Sequence, residues 1–125
     1  KKKKKTQGEA MLELYVDTDS NDQLLDVTLD GEDYKYRLYW SRIYSRWYMD
    51  WMNSSSVPLN SGTKVVVGQP LVKSRMFKGT VLALSLSNDE RPPSIGELGK
   101  RVKLIYLTEE EYPPRVLRRP IDEIL

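Results

Sequence analysis

The sequence predicts an all-β protein: a small antiparallel β-barrel or sandwich of about six to seven strands, with an extended arm at each end. Three observations support this fold class. Apolar and polar residues alternate with a period of two in several stretches, turn-forming residues separate those stretches, and no stretch has a helical period apart from a short turn at 94–98. We therefore expect an N-terminal arm over residues 1–10, a β-domain over 11–108 and a proline-rich arm over 109–125.

The first hairpin is predicted from alternation followed by a turn. Residues 11–16 alternate weakly, and residues 25–29 (LDVTL) alternate as a strand with one buried face requires. Asp30 and Gly31 follow, and Asp-Gly is typical of two-residue hairpin turns because both residues tolerate positive φ. The next strand is therefore expected to begin near Tyr34.

Eight of the twelve aromatic residues lie between Tyr34 and Met52. Two strands separated by a short loop at 41–45 would pair aromatic side chains across an antiparallel ladder. The buried side is predicted to carry alternate residues of both strands: Tyr34, Tyr36, Leu38, Trp40, Trp47, Met49 and Trp51. On the opposite side are Tyr39, Tyr44 and Tyr48. We expect these three tyrosines at an interface, since tyrosine is enriched where one end of the side chain stays wet.

The second half of the β-domain is expected to be less regular. Residues 54–62 are rich in serine and predict a loop. The segments 64–67 and 71–72 are short and apolar, and the proline between them predicts an edge, a bulge or a corner. Residues 79–87 (GTVLALSLS) alternate most clearly, with three leucines on one face, and both faces are expected to be partly covered. A final strand is predicted near 102–107.

The composition argues against most catalytic chemistry. The chain has no cysteine and no histidine, so it lacks thiolates, disulfides, the usual general base near neutral pH and the commonest nitrogen ligand for metals. Its acidic residues give no signal of a carboxylate pair in one cleft. The GELGK sequence at 96–100 lacks the spacing and the hydroxyl residue of a phosphate-binding loop. We expect no enzymatic activity, no cofactor and no metal site.

Asp50 lies between aromatic residues of a predicted strand, where an unpaired charge is costly. We expect it to pair with Arg37 or Arg46, or to accept hydrogen bonds from backbone N–H groups at a loop. A structural role is favoured over a catalytic one.

The net charge of +2 depends on the opening run Lys1–Lys5. Without that run, 15 basic residues stand against 18 acidic ones, and the remaining charge is −3. A mildly acidic body argues against specific nucleic-acid binding. No apolar run approaches the roughly 18 residues of a membrane span, and no apolar signal core follows the lysines. We expect a soluble, unsecreted protein without membrane contacts.

Both arms are predicted to contact other proteins. The lysine run suits an acidic or enclosing surface, and we expect Lys1, Lys2 and Lys3 at an interface. The C-terminal arm holds three prolines and cannot form one continuous helix, yet it is too apolar for a free tail. It is expected to dock on another chain or, alternatively, to fold back on its own domain. Its predicted contact residues are Tyr112, Arg115, Leu117, Arg118, Arg119, Ile121 and Leu125.

The order of these segments resembles a phage protein family, the small baseplate plug proteins of contractile-tailed phages, including cyanophage-type baseplates. The similar elements run from residue 25 to residue 106: a strand with a glycine turn, an aromatic strand, WYMD at 47–50, GQPL at 68–71 and RVKLIY at 101–106. The resemblance implies a virion structural protein with a β-barrel-like domain and no catalytic residues. It implies a position near the tail axis, where hub, tail-tube and tape-measure proteins meet, with several copies in a symmetric ring, after assembly in the host cytoplasm.

Two other functions are open on the residues alone. An OB-type barrel that binds single-stranded nucleic acid would interleave aromatic residues with Lys35, Arg37, Arg42 and Arg46. A carbohydrate-binding module would use the tryptophans together with Asp50. Both hypotheses need the aromatic side chains at the surface, whereas core packing needs them inside.

Overall fold

A computed structural model describes residues 12–74 and 77–111, which form seven strands in two antiparallel sheets. The part of the chain so described contains no helix. The strands are β1 (Leu12–Glu13), β2 (Asp22–Leu29), β3 (Glu32–Ser41), β4 (Arg46–Asn53), β5 (Pro58–Lys64), β6 (Thr80–Ser85) and β7 (Val102–Leu107). One sheet has the order β2-β3-β4-β5 and the other β1-β7-β6. The sandwich predicted from the sequence is confirmed.

The β2–β3 hairpin forms where the Asp-Gly pair predicts it. Leu29 pairs with Glu32, which leaves Asp30 and Gly31 as the two turn residues. Both have positive φ, 51° for Asp30 and 85° for Gly31, as a type I′ turn requires. The turn fixes the register, and the register places alternate side chains of β2 and β3 on the same face.

The aromatic hairpin β3–β4 sends one set of aromatic side chains into the core. Tyr36 pairs with Trp51, and their rings stack at 5.4 Å and 20°. Phe77 lies across Trp51 at 5.1 Å and 64°, and it also meets Tyr106 of β7 at 5.9 Å. Aromatic pairs in these arrangements add about 0.5–1.5 kcal/mol beyond their buried area. This cluster joins the two sheets.

The predicted buried set is confirmed with one partial exception. The side chains below one-tenth exposure in that set are Tyr34, Tyr36, Leu38, Trp47, Met49 and Trp51. Trp40 is only half-buried and packs against the core cluster. Since Trp40 pairs with Trp47 one step before the loop, it lies near the end of the sheet, where less of the core remains to cover it.

The prediction of a loop over 54–62 is wrong in its second half. β5 begins at Pro58 and pairs with β4, with a shifted register between Met49 and Trp51. The side-chain amide of Asn60 donates hydrogen bonds to the hydroxyl of Thr63 and, at 3.1 Å, to the carbonyl of Leu71. An edge strand held by backbone pairing and polar side chains has no apolar alternation to reveal it.

The apolar segments after β5 flank β6 at its free edge. Val65 is fully buried, and isolated bridges join Val67 to Ala83 and Pro70 to Leu82. The amide of Leu71 donates to the carbonyl of Val81 at 2.9 Å. Of the predicted edge, bulge or corner, the structure shows an edge position: the segment pairs along the free edge of β6 and protects it.

A long loop between β6 and β7 is held by one arginine. The guanidinium of Arg101 donates to the carbonyls of Asp89 at 2.7 Å and Arg91 at 3.0 Å, and to the carboxylate of Glu97 at 2.9 Å. The bond from Arg101, with help from the Ser94 amide, lowers the pKa of Glu97 to about 2. Trp47 fixes the same loop through a 3.1 Å bond from its indole nitrogen to the carbonyl of Ser94.

Candidate interface on the four-stranded sheet

The predicted interface tyrosines meet on the outer face of the four-stranded sheet. Tyr39 of β3 pairs with Tyr48 of β4, and their rings stack at 5.9 Å and 19°. Tyr44, from the loop between these strands, meets Tyr48 at 6.4 Å and 63°. We call Tyr39, Tyr44 and Tyr48 the tyrosine face. Tyr44 is 68% exposed, while its two partners are half-buried by their neighbours on the sheet.

Arg37 borders the tyrosine face and is already paired. Its guanidinium carbon lies 4.4 Å from the centre of the Tyr39 ring. Its Nε and Nη2 atoms donate to the two carboxylate oxygens of Asp22 at 2.9 Å and 2.7 Å. These bonds lower the pKa of Asp22. The bidentate geometry fixes the arginine in place against the ring, but the exposure of both side chains limits its contribution to stability.

Asp50 has a structural role on the same face. The amide of Gly62 donates to its Oδ1 atom at 2.7 Å, and the hydroxyl of Tyr39 donates to the same oxygen at 3.4 Å. Of the predicted alternatives for Asp50, the hydrogen bond from a backbone amide is confirmed, and Arg37 forms its ion pair with Asp22. Burial and the nearby Asp50 charge raise the pKa of Tyr39. Asp50 thus connects β5 to the tyrosine face.

Two exposed apolar side chains extend the candidate interface and were missed from the sequence. Leu24 of β2 is 61% exposed and pairs in register with Arg37. Ile43 is 87% exposed and lies beside Tyr44 in the β3–β4 loop. A signal existed for Leu24: Leu24 and Leu25 are adjacent in an alternating strand, so one of them must face outward. Ile43 is the apolar residue of an otherwise polar turn.

The surface is suited to contact rather than to chemistry. Within the described residues, no group of three or more acidic side chains is arranged to hold a metal ion. Aromatic rings with free edges and hydroxyl groups provide area and hydrogen bonds at little cost in side-chain entropy. Residues 12–74 and 77–111 include no helix that could span a membrane.

The remaining predicted interface residues lie outside the described part of the chain. They are Lys1, Lys2 and Lys3 of the N-terminal arm, and Tyr112, Arg115, Leu117, Arg118, Arg119, Ile121 and Leu125 of the C-terminal arm. Their contacts stay predictions.

The chain matches the model of a known protein family. The model of the family described as Cyanophage baseplate Pam3 plug gp18 matches residues 11–110. The matched range contains all seven strands and the tyrosine face, whereas the lysine run and the residues after 110 fall outside it. No curated protein matches the chain.

Proposed function

The chain belongs to the Cyanophage baseplate Pam3 plug gp18 family, whose members are structural parts of the phage tail baseplate, and on that premise we propose a specific role for it there. It is a non-enzymatic plug component near the tail axis that contacts hub, tail-tube and tape-measure proteins. The observation that carries the proposal is the family match, which extends over the whole β-domain. Assembly takes place in the host cytoplasm.

The tyrosine face is the proposed contact of the β-domain with a neighbouring baseplate protein. Three aromatic side chains are gathered on one outer face, and exposed Leu24 and Ile43 enlarge it. Protein interfaces are enriched in tyrosine and arginine and depleted of lysine and glutamate at their centre. Arg37, neutralised by Asp22, can be buried at lower cost than a free cation.

Several copies in a symmetric ring would each present this face in the same orientation. A closed ring needs a contact between two different surfaces of adjacent molecules. We therefore assign the tyrosine face to one such contact. The N-terminal arm over 1–10 and the C-terminal arm over 109–125 lace the domain over 11–108 to its neighbours, through Lys1–Lys3 and through the apolar and arginine residues of the tail.

A non-enzymatic role is supported by the chemistry of the chain. It has no histidine or cysteine to act as base, nucleophile or soft ligand. On the tyrosine face the carboxylate of Asp50 accepts hydrogen bonds from the hydroxyl of Tyr39 and from the backbone amide of Gly62. Such an arrangement orders a surface and offers no reacting group.

Cross-linking mass spectrometry of gently purified phage tails tests the proposal. We expect links from Lys1–Lys5, Lys100 and Lys103 to hub or tail-tube proteins, and from Lys64, which pairs with Tyr48, to a baseplate neighbour. The isolated chain, cross-linked alone, identifies links that arise within one molecule. Absence of the chain from tails, or a monomer with only internal links, would contradict the proposal.

The nucleic-acid hypothesis makes a separate prediction. An OB-type binder needs free cations beside its stacking rings and should bind oligonucleotides with a strong dependence on salt. The guanidinium beside Tyr39 is occupied by Asp22, so we expect a flat titration at low salt. Tight, salt-sensitive binding would favour the alternative.

A further inference from the structure

The outer face of the three-stranded sheet carries four aliphatic side chains beside the ion pair of Lys103 and Glu13, whose Nζ and Oε2 atoms are 2.9 Å apart. The register pairs Leu82 with Ile105, Leu84 with Lys103 and Thr80 with Leu107. Since Val81, Ala83 and Leu104 belong to the core cluster, the alternate side chains point to the other side of the sheet. We call Leu82, Leu84, Ile105 and Leu107 the outer apolar face.

One residue of the outer apolar face is buried without being part of the core. Leu82 is only 7% exposed, but it is absent from the cluster that contains Val81 and Ala83 on either side of it. The bridge from Leu82 to Pro70 joins the two backbones at the edge of β6. Leu84, two residues further along, is 36% exposed. A cover over the Leu82 end of this face would produce that difference.

The chain leaves the domain beside this face. β7 ends at Leu107, and a turn follows in which the amide of Thr108 donates to the Glu111 carboxylate at 2.8 Å. The amide of Glu111 donates to the Thr108 hydroxyl at 3.3 Å, which closes the turn. This turn directly follows β7, and residues 112–125 come after it in the sequence.

The C-terminal segment has the length and the composition to cover the face. Fourteen residues can span roughly 45 Å when extended, and a strand of six residues is roughly 20 Å long. The segment contains five aliphatic residues, Val116, Leu117, Ile121, Ile124 and Leu125. Its arginines are opposite in charge to the exposed carboxylates of Glu109 and Glu110, which follow the end of β7.

We propose that residues 113–125 of the same chain dock on the outer apolar face, with their aliphatic side chains over Leu82, Leu84, Ile105 and Leu107. This proposal goes beyond the baseplate role and does not rest on it, because it concerns the isolated chain. It assigns the aliphatic side chains of the C-terminal arm to its own domain, so that Tyr112 and the three arginines of the arm are left to contact neighbouring proteins.

A cysteine pair tests the docking directly, because the chain has no natural cysteine. Leu84→Cys is combined in the full chain with Leu117→Cys or, in a second protein, with Ile121→Cys. The matched control combines the same tail substitutions with Leu24→Cys, which is exposed on the outer face of the other sheet. Under mild oxidation, we expect a disulfide within one molecule to form at least about tenfold faster with position 84 than with position 24.

Each outcome has a definite meaning. Equal rates at positions 84 and 24, with both tail cysteines, would overturn the proposal. A disulfide that joins two molecules would appear as a doubled mass without reductant. It would show that the tail of a second copy binds the outer apolar face, and it would also overturn docking within one chain. Neither result bears on the baseplate role, which is tested in assembled tails.

Accessibility provides a second measurement that needs no disulfide. In the chain with Leu82→Cys alone, we expect slow reaction with a maleimide, because Leu82 is 7% exposed. The reaction should become about tenfold faster after Leu117→Asp and Ile121→Asp are added, because the aspartates weaken an apolar contact. The rate at Leu24→Cys should not change. If the aspartates leave the rate at position 82 unchanged, the tail does not cover that leucine.

Discussion

The two faces of the β3–β4 hairpin carry the same kind of aromatic pair in opposite environments. On the inner face Tyr36 stacks on Trp51 at 5.4 Å, and on the outer face Tyr39 stacks on Tyr48 at 5.9 Å, with nearly equal ring angles. The inner pair is 1% and 0% exposed, whereas the outer pair is half-buried. The strands set the ring geometry on both sides.

The two faces of the hairpin differ in the side chains that pack against them. Phe77 and Tyr106 close the inner face from the other side of the sandwich. The rings of the outer face have neighbours from their own sheet and its β3–β4 loop, Arg37 against Tyr39 and Tyr44 against Tyr48. The hairpin therefore contributes one face to the core and the other to the surface, and we propose that a partner covers the outer face.

The largest expected effect comes from removing an inner ring. Trp51→Ala should lower the free energy of unfolding by about 3–5 kcal/mol, because it empties a buried site between three rings. Tyr48→Ala, the outer counterpart, should cost about 1 kcal/mol or less. Urea denaturation of both variants measures the difference. Similar losses would mean that the two faces are equally packed.

The comparison extends to two arginines that differ in their acceptors. Arg101 is 15% exposed in its side chain and donates to carbonyls of its loop, whereas Arg37 is 43% exposed and pairs with a carboxylate. Arg101→Met should cost about 2 kcal/mol, since it leaves loop carbonyls unpaired, while Arg37→Met should cost less than about 1 kcal/mol. Hydrogen exchange should accelerate over residues 88–99 in the first variant alone. Protection unchanged there would show that the loop is held by other contacts.

At alkaline pH, the loss of the hydroxyl proton of the inner Tyr34 is expected to lower the stability of the fold. Burial first, and then the bonded Glu32 carboxylate, raise the pKa of Tyr34 from 10.0 to about 12. The folded chain then keeps a proton that the unfolded chain has lost, so this stabilisation is complete below pH 10 and disappears as the pH rises towards about 12. Tyr34→Phe should therefore reduce the fall in unfolding free energy between these pH values, as measured in urea titrations.

The outer Tyr39 serves as the comparison for that experiment. Its pKa is also raised, chiefly by burial, but the side chain is only half-buried. Tyr39→Phe should therefore change the alkaline slope less than Tyr34→Phe does. The reverse order would contradict the assignment of the two faces.

A small effect on stability, and the largest effect on assembly, is expected for the tyrosine face. Replacing Tyr39, Tyr44 and Tyr48 by serine should cost about 1–2 kcal/mol in total, because only cross-strand contacts are lost. Incorporation into tails should fall by about tenfold or more if the face is a contact. The control is Tyr15→Ser, since Tyr15 is 40% exposed outside this face. Normal incorporation of the triple variant would show that the tyrosine face is not needed for assembly.

The sequence was sufficient wherever side chains alternate against one core. The Asp-Gly turn, the inner aromatic set and the outer position of the three tyrosines were predicted because turn chemistry and period-two alternation are local signals. The strand β5 was not predicted because it is held by backbone pairing and by the side chain of Asn60, and neither gives a pattern in the sequence. The role of Arg101 was not predicted for a similar reason, because its acceptors are mainly backbone carbonyls, which every residue has.

Alternation also left open which face of β6 is the inner one. The three leucines at 82, 84 and 86 look like the core set, yet the core takes Val81 and Ala83, and Leu86 is 68% exposed. The small side chains fit because large aromatic rings from the other sheet already fill the space between the sheets. Packing between distant segments cannot be found from the pattern of one strand.

The most direct test of the central claim is photo-cross-linking from the tyrosine face in assembled tails. A photoreactive phenylalanine analogue replaces Tyr44 and, as the control, Val57, which is 52% exposed in the segment before β5. We predict that position 44 gives a strong cross-link to a baseplate protein or to a second copy, and that position 57 gives a much weaker one. Equal cross-linking from both positions, or none from position 44 in tails that contain the chain, would contradict the account.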